Sequence, residues 1–416
     1  MIFGVICIIL LLIICVVLLY ILLKDNGIVA SYFVKAKEMA ANEGWIKVCK
    51  RSILIIGGKV KQCIPTPKTN KVRGKKIEIA FYPTGGMGDY IISSKLIEEL
   101  QQYSDCNITV FCEKMMFGKS IYGGRTGVTV LEYARFEKER NAYDLALEVE
   151  HFVHVLNMDD TRLKSLAPEL YQRMKYITDN WDTLYINIQQ QCYRERIQFE
   201  RCRLLGLNRW TELRMGHAFE IIDQRTTIPM DSFYENEWIK LGLKSKGYIT
   251  LNRGADQMRE GMEQLKVWPK GHYEKLIKLC KEKIPKLPII QLGGKDCERL
   301  SGVDQAFLGQ SFELTKWIIK NSLCHIDCEG GLVHLATQLD TKCIVIFGPT
   351  PVHMYGYECN INLVSRDCSN CMGVYDEWAY SCYKNKENNC MYDIEPNCIF
   401  KEVKRLVEEN NEKIIS

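Results

Sequence analysis

The segment Asp327-Cys-Glu-Gly-Gly-Leu-Val-His-Leu-Ala336 sets an acidic residue, a glycine pair and a histidine close together, ahead of the apolar run Cys343 to Phe347 and Gly348-Pro-Thr-Pro351. Two glycines at the start of a helix let backbone N–H groups approach an anion, with the positive end of the helix behind them. Glu329 lies in that turn and His334 follows on the helix, a pairing suited to a diphosphate beside a sugar or ribose hydroxyl. A second glycine-rich turn, Thr84-Gly-Gly-Met-Gly-Asp89, places a carboxylate at another predicted helix start. Asp89 there can take the proton from an attacking hydroxyl, and the preference of Asp for helix starts explains it equally as a cap. Lys266 precedes Trp268-Pro269, with the proline placed to open a helix, so its ammonium can neutralise a leaving diphosphate or simply be solvated. Asn252, Arg253 and Gly254 close a predicted strand and offer backbone or guanidinium contacts to phosphate. Cys368, Cys371, Cys382 and Cys390 hold one Cys-x-x-Cys pair, enough for a structural zinc or iron site or for buried thiols.

Glu329, Gly330, Gly331 and His334, with the strand ending in Phe347-Gly-Pro-Thr350, resemble the nucleotide-sugar motif of glycosyltransferase family 9, the lipopolysaccharide heptosyltransferases. Glu329 stands where that family more often has Asp. The resemblance runs from about Ile77 to Leu406 and includes Gly88-Asp89 and the lysine two residues before Trp268. It implies a GT-B fold, two Rossmann-like doubly wound domains facing a cleft. Asp89 would be the base, Lys266 would lie in the phosphate-binding segment, and Gly86, Gly88, Asn252, Arg253, Gly254, Glu329, Gly330, Gly331 and His334 would meet the substrates. It also implies inverting transfer from a nucleotide-diphosphate sugar to a membrane-linked saccharide, with no cofactor required. The lack of an Asp-x-Asp motif in either glycine-rich turn agrees, cationic side chains taking the place of a divalent ion. Some bacterial relatives carry a similar cysteine region.

The elements that must position these residues are spread over 416 residues, 47% hydrophobic and 25% charged, enough for two ordinary domains. Ile2 to Leu23 is an unbroken apolar run long enough to span a bilayer, and without a basic start or small-residue cleavage site it reads as an anchor over residues 1–24. From Lys24 to Lys76 thirteen Lys and Arg face three acidic residues, a net +10, so a chain of net +4 leaves −6 for the rest. That asymmetry suits a basic segment over 25–76 lying against anionic lipid, with the body in the cytoplasm, and the resemblance implies that the membrane is a bacterial inner one. The basic residues are too interrupted by Pro, Thr and Asn to suggest nucleic acid. Nineteen cysteines, mostly in apolar segments, fit a reducing compartment, where the Asn107-Ile-Thr109 sequon has no meaning.

Short apolar strands alternating with helical segments predict parallel sheets. The acceptor domain is placed at 77–236, with strands Ile77 to Tyr82, Ile108 to Cys112, Val128 to Leu131 and Leu145 to Val149. The nucleotide-sugar domain is placed at 247–398, followed by a carboxyl-terminal helix over 399–416 that the resemblance sends back across the first half. His151 and His154 follow a strand end and face the acceptor or simply pack. No Walker loop, HExxH pair, nucleophile elbow, kinase signature or Gly-x-Gly-x-x-Gly fingerprint occurs. The rival to an enzyme is a non-catalytic sugar-nucleotide-binding or scaffold subunit of an envelope glycan assembly.

Overall fold

The computed structural model describes residues 74–181, 192–216, 218–254, 262–366, 370–384 and 390–415. The expected span Ile2 to Leu23, the basic segment up to Arg73, and Cys368 lie outside the described residues. Among the described residues no helix is long and apolar enough to cross a membrane.

The first half runs β1 (Ile77–Pro83), α1 (Met87–Tyr103), β2 (Cys106–Cys112), α2 (Met115–Tyr122), β3 (Val128–Glu132), α3 (Phe136–Glu139), β4 (Leu145–Val149), β5 (Val153–Met158), α4 (Asp160–Leu166), α5 (Pro168–Asp179) and α6 (Cys192–Leu205). Its sheet has the order β3-β2-β1-β4-β5. After α7 (Ser232–Lys240) the second half runs β6 (Ile249–Asn252), α8 (Lys270–Lys283), β7 (Ile289–Gly293), β8 (Gln305–Leu308), α9 (Phe312–Lys320), β9 (Cys324–Cys328), α10 (Gly331–Gln338), β10 (Lys342–Phe347), α11 (Val352–Tyr355), β11 (Ile361–Val364) and α12 (Pro396–Ile415). Its sheet has the order β11-β10-β9-β6-β7-β8 and is parallel throughout.

The central strands are buried on both faces, so Ile-Glu-Ile-Ala-Phe-Tyr-Pro and Lys-Cys-Ile-Val-Ile-Phe read as near-continuous apolar runs. Edge strands are less legible. β5, which pairs antiparallel with β4, buries only Val153, and the four-residue β8 buries no residue fully. The first sheet is therefore mixed, which strand–helix alternation did not anticipate. The carboxyl-terminal helix is also corrected: Ile399, Val403 and Leu406 of α12 join the core of the second half, and α12 packs along α8 instead of crossing the first half.

The two halves are stitched together. α1 lies against α10 and α2 against α9, with Phe117 edge-on to Phe312. Lys316 of α9, 1% exposed, donates to the Ser120 and Pro229 carbonyls and pairs with Glu313. Thr226, in the connection between the halves, donates its N–H to Gln338 and its hydroxyl to Glu98.

In each sheet the chain reverses direction of growth at its first strand, β1 between β2 and β4, and β6 between β7 and β9. Such switch points open a crevice at the carboxyl ends of the strands, where doubly wound proteins bind ligands. Thr84–Asp89 leaves one, while Asn252–Gly254 and Asp327–Gly331 leave the other.

Candidate functional site

At the first crevice Gly85 has φ +88°, and a Cβ there would collide with the Asp89 carboxylate folded back over the turn. Asp89 Oδ2 accepts the Gly86 N–H at 2.8 Å, half of a capping box whose other half a glycine cannot supply. Its Oδ1 accepts Arg209 Nη2 at 2.9 Å, and the side chain remains 28% exposed. Asp89 is thus tied to its own turn and paired with a guanidinium while part of its side chain stays exposed.

Behind it lies a chain of alternating charge. Arg209, 2% exposed, also donates to Glu212 Oε1 at 2.6 Å, and Glu212 meets His151 Nδ1 at 2.9 Å. Burial alone would raise the Asp89 pKa, but Arg209, His151 and the Gly86 N–H outweigh it and hold it below the usual carboxylate value. Burial and Arg209 would lower His151, yet Glu212 and Asp89 carry it above the ordinary histidine value. Glu195 of α6 is raised by burial and by Glu150, Asp89 and Glu212, against the pull of His151. His151 is therefore part of a buried charge network, while His154, 40% exposed, stacks on Trp181 with ring centroids 4.5 Å apart.

At the second crevice Lys266 Nζ stands 3.5 Å from Glu329 Oε2, and Glu329 Oε1 is 3.9 Å from His334 Nε2. Burial opposes the Lys266 charge, but Glu329 and its acidic neighbours prevail, so its pKa lies above the ordinary lysine value. Burial lowers His334 despite Glu329, leaving a neutral imidazole at neutral pH. No side chain caps α10. The segment carrying Lys266 is anchored by Trp268, whose backbone N–H meets Cys328 Sγ and whose indole donates to the Ile394 carbonyl.

The crevices meet at their glycines. A Cβ on Gly88 would sit 2.8 Å from His334 Cδ2, and one on Gly331 would lie 2.6 Å from Met87 Cε and 3.2 Å from the Gly88 nitrogen. Asp89, Gly86, Gly88, Lys266, Glu329, Gly330, Gly331 and His334 therefore occupy one cleft.

Other expected residues are arranged differently. Asn252 turns inward, its amide donating to both oxygens of buried Asp327 at 3.2 and 3.0 Å, so it supports β9 instead of presenting its amide to a ligand. Arg253 pairs with Glu263 at 2.6 Å. Gly254 adopts φ +154°, with a Cβ there 3.6 Å from Cys297 Sγ. Of the expected metal set, Cys368 lies outside the described residues; Cys371 and Cys382 are half-buried, Cys390 packs in the core beside Gly348, and the described residues contain no group of three His, Cys, Asp or Glu side chains placed to hold an ion.

Sequence reasoning missed Arg209, Trp210, Glu212 and Tyr357. The Trp210 indole donates to Tyr357 Oη at 2.9 Å, and Tyr357 lies 2.6 Å from His334 Nδ1. The available signal was Asn208-Arg-Trp-Thr-Glu212, whose Asn side chain accepts the Trp210 and Thr211 N–H groups in an Asx turn.

Two doubly wound halves meeting at their switch points define the fold class of GT-B glycosyltransferases. Among solved structures, the ADP-heptose lipopolysaccharide heptosyltransferase II of E. coli matches 80% of this chain and 100% of its own, with a TM-score of 0.51 at 13% identity. The E. coli heptosyltransferase WaaC with ADP gives a TM-score of 0.43 at 16% identity, over 79% of this chain and 100% of that one. A family 9 glycosyltransferase from Veillonella parvula gives 0.47 at 11%, over 81% and 100%. No family model and no curated protein matches the sequence. The chain thus has a heptosyltransferase-like glycosyltransferase fold, with the first of these structures carrying that conclusion.

Proposed function

We propose that this chain is a membrane-anchored glycosyltransferase that moves a sugar from a nucleotide-diphosphate donor to a membrane-linked saccharide, with inversion at the anomeric carbon. The observation that carries the proposal is the meeting of Asp89 with Lys266, Glu329 and His334 across two glycine-opened helix starts. Asp89 takes the proton of the acceptor hydroxyl as its oxygen attacks the anomeric carbon and the bond to the diphosphate breaks. Its lowered pKa keeps it ionised at neutral pH, and Arg209 and Gly86 each occupy only part of one carboxylate oxygen. Lys266, the His334 N–H and the uncapped start of α10 receive the negative charge developing on the diphosphate. Lys266 supplies the positive charge that a divalent ion supplies elsewhere, so transfer needs no added metal.

In this reading the run Ile2 to Leu23 and the basic residues after it hold the body at the cytoplasmic face of a bacterial inner membrane, close to a lipid-borne acceptor. The test is nucleotide release by the full-length chain in detergent, with ADP-heptose first and other nucleotide sugars beside it, using membrane-glycan extract as acceptor. Release that depends on both substrates and falls at least a hundredfold in Asp89→Asn supports the proposal. Donor binding without turnover turns the reading towards a scaffold subunit, and absence of donor binding overturns it.

A further inference from the structure

We infer that Trp210 and Tyr357 are positioning residues that hold His334 as the Nε2–H tautomer, with its one N–H turned to the donor side of the cleft. The proton inventory leads there. An indole nitrogen can only donate, so the 2.9 Å contact from Trp210 Nε1 makes the Tyr357 oxygen an acceptor. The phenol's own proton then goes to its 2.6 Å neighbour, His334 Nδ1. The opposite arrangement, Nδ1–H donating to the phenol, would direct a second donor at this oxygen and leave its buried hydroxyl proton without an acceptor among the described residues. With Nδ1 accepting, a neutral imidazole carries its hydrogen on Nε2.

Burial supports the neutral form. His334 is 3% exposed, and its pKa is lowered by burial and by Arg209 and Lys266 against the opposing pull of Glu329 and Asp89. Nε2 looks past Gly88, and Glu329 Oε1 at 3.9 Å is beyond hydrogen-bond reach, which leaves this N–H for a ligand. The same five-residue turn serves both crevices: Arg209 reaches Asp89, while its neighbour Trp210 reaches His334 through Tyr357. The Arg209 backbone N–H, bonded to the Met354 carbonyl at 3.0 Å, ties that turn to the second half.

The use of the N–H towards a diphosphate rests on the function proposed above, whereas the tautomer does not. The test is nitrogen NMR of the full-length chain in detergent, labelled at its seven histidines, with His334→Gln identifying the signal. Wild-type His334 is expected neutral, protonated at Nε2 and bare at Nδ1. Tyr357→Phe should convert it to a tautomer mixture and weaken ADP binding about tenfold, the worth of one hydrogen bond to a charged group. Trp210→Phe, which keeps the packing, should move both readouts less in the same direction and serves if Tyr357→Phe fails to fold. A wild-type Nδ1–H tautomer, a cationic His334 at neutral pH, or a spectrum unmoved by either folded variant overturns the inference. The expected tautomer in a chain that does not bind ADP sustains the positioning and defeats the donor reading.

Discussion

The two glycine-rich turns are alike in sequence and opposite in state. Thr84–Asp89 folds back on itself: one Asp89 oxygen accepts the Gly86 N–H just ahead of the helix, and the other accepts the buried Arg209 guanidinium. Neither α1 nor α10 begins with a side-chain cap, but in Asp327–His334 the acidic residue, Glu329, pairs with Lys266 instead of bonding back into its own turn. The first start thus carries a carboxylate over its turn, whereas the second is left with N–H groups and a partial positive charge. In the function proposed above, one motif type serves as a base on one wall and an anion seat on the other, the difference resting on whether the acidic residue follows the glycines or precedes them.

The largest effects should separate these roles in catalysis. Asp89→Asn keeps the shape and removes the charge, and is expected to lower kcat by about 10²–10⁴ with little change in donor affinity. Lys266→Met should lower kcat/KM by about a hundredfold and weaken ADP binding, because its charge serves the diphosphate in ground and transition states alike. Nucleotide release and calorimetric titration with ADP measure both. If Asp89→Asn abolished ADP binding while Lys266→Met spared it, the assignment of the walls would be reversed.

Stability should divide the turns next. Arg209→Met leaves the fully buried Glu212 with His151 as its one remaining charged partner among the described residues and is expected to cost about 3 kcal/mol, read as a fall in denaturation midpoint. The Lys266–Glu329 pair keeps partial access to water, at 20% and 10% exposure, so Lys266→Met should cost clearly less. Smaller still, and internal to one turn, is the contrast between two adjacent glycines. Gly331→Ala presses on Met87 and the Gly88 nitrogen and should cost about 1–3 kcal/mol, whereas Gly330→Ala meets only the Cys328 carbonyl at 3.8 Å and should stay within about 0.5 kcal/mol. Equal costs would mean that the close approach of the two halves carries no energy.

The same contrast explains what the sequence could reveal. Both turns were legible because glycine, an acidic residue and a following apolar helix are local signals, and the central strands because burial on both faces leaves unbroken apolar runs. Arg209, Trp210, Glu212 and Tyr357 were not, since each acquires its role from a partner far along the chain, Arg209 from Asp89 and Tyr357 from Trp210. Asn252 misled for the same reason: a polar residue ending a strand looks exposed until Asp327 is placed beneath it. The edge strands β5 and β8 lacked the apolar content that reveals a strand.

The histidines of the two walls set opposite pH limits, and this is the smallest predicted effect. His151 has a folded pKa above its ordinary 6.5 because Glu212 and Asp89 outweigh burial and Arg209, so its stabilisation is complete below pH 6.5 and fades as pH rises through the raised value. His334 has a folded pKa below 6.5, so the unfolded chain binds the extra proton and stability falls as pH drops from 6.5 through the lowered value. Asp89 adds a loss further into acid, below its ordinary 3.8. Denaturation midpoints should therefore decline on both sides of pH 6.5. His151→Gln should flatten the alkaline decline alone and His334→Gln the decline just below 6.5 alone. If His151→Gln instead flattened the acid side, His151 would be neutral in the folded chain, and Asp89 would have to draw its lowered pKa from Arg209 and Gly86 alone.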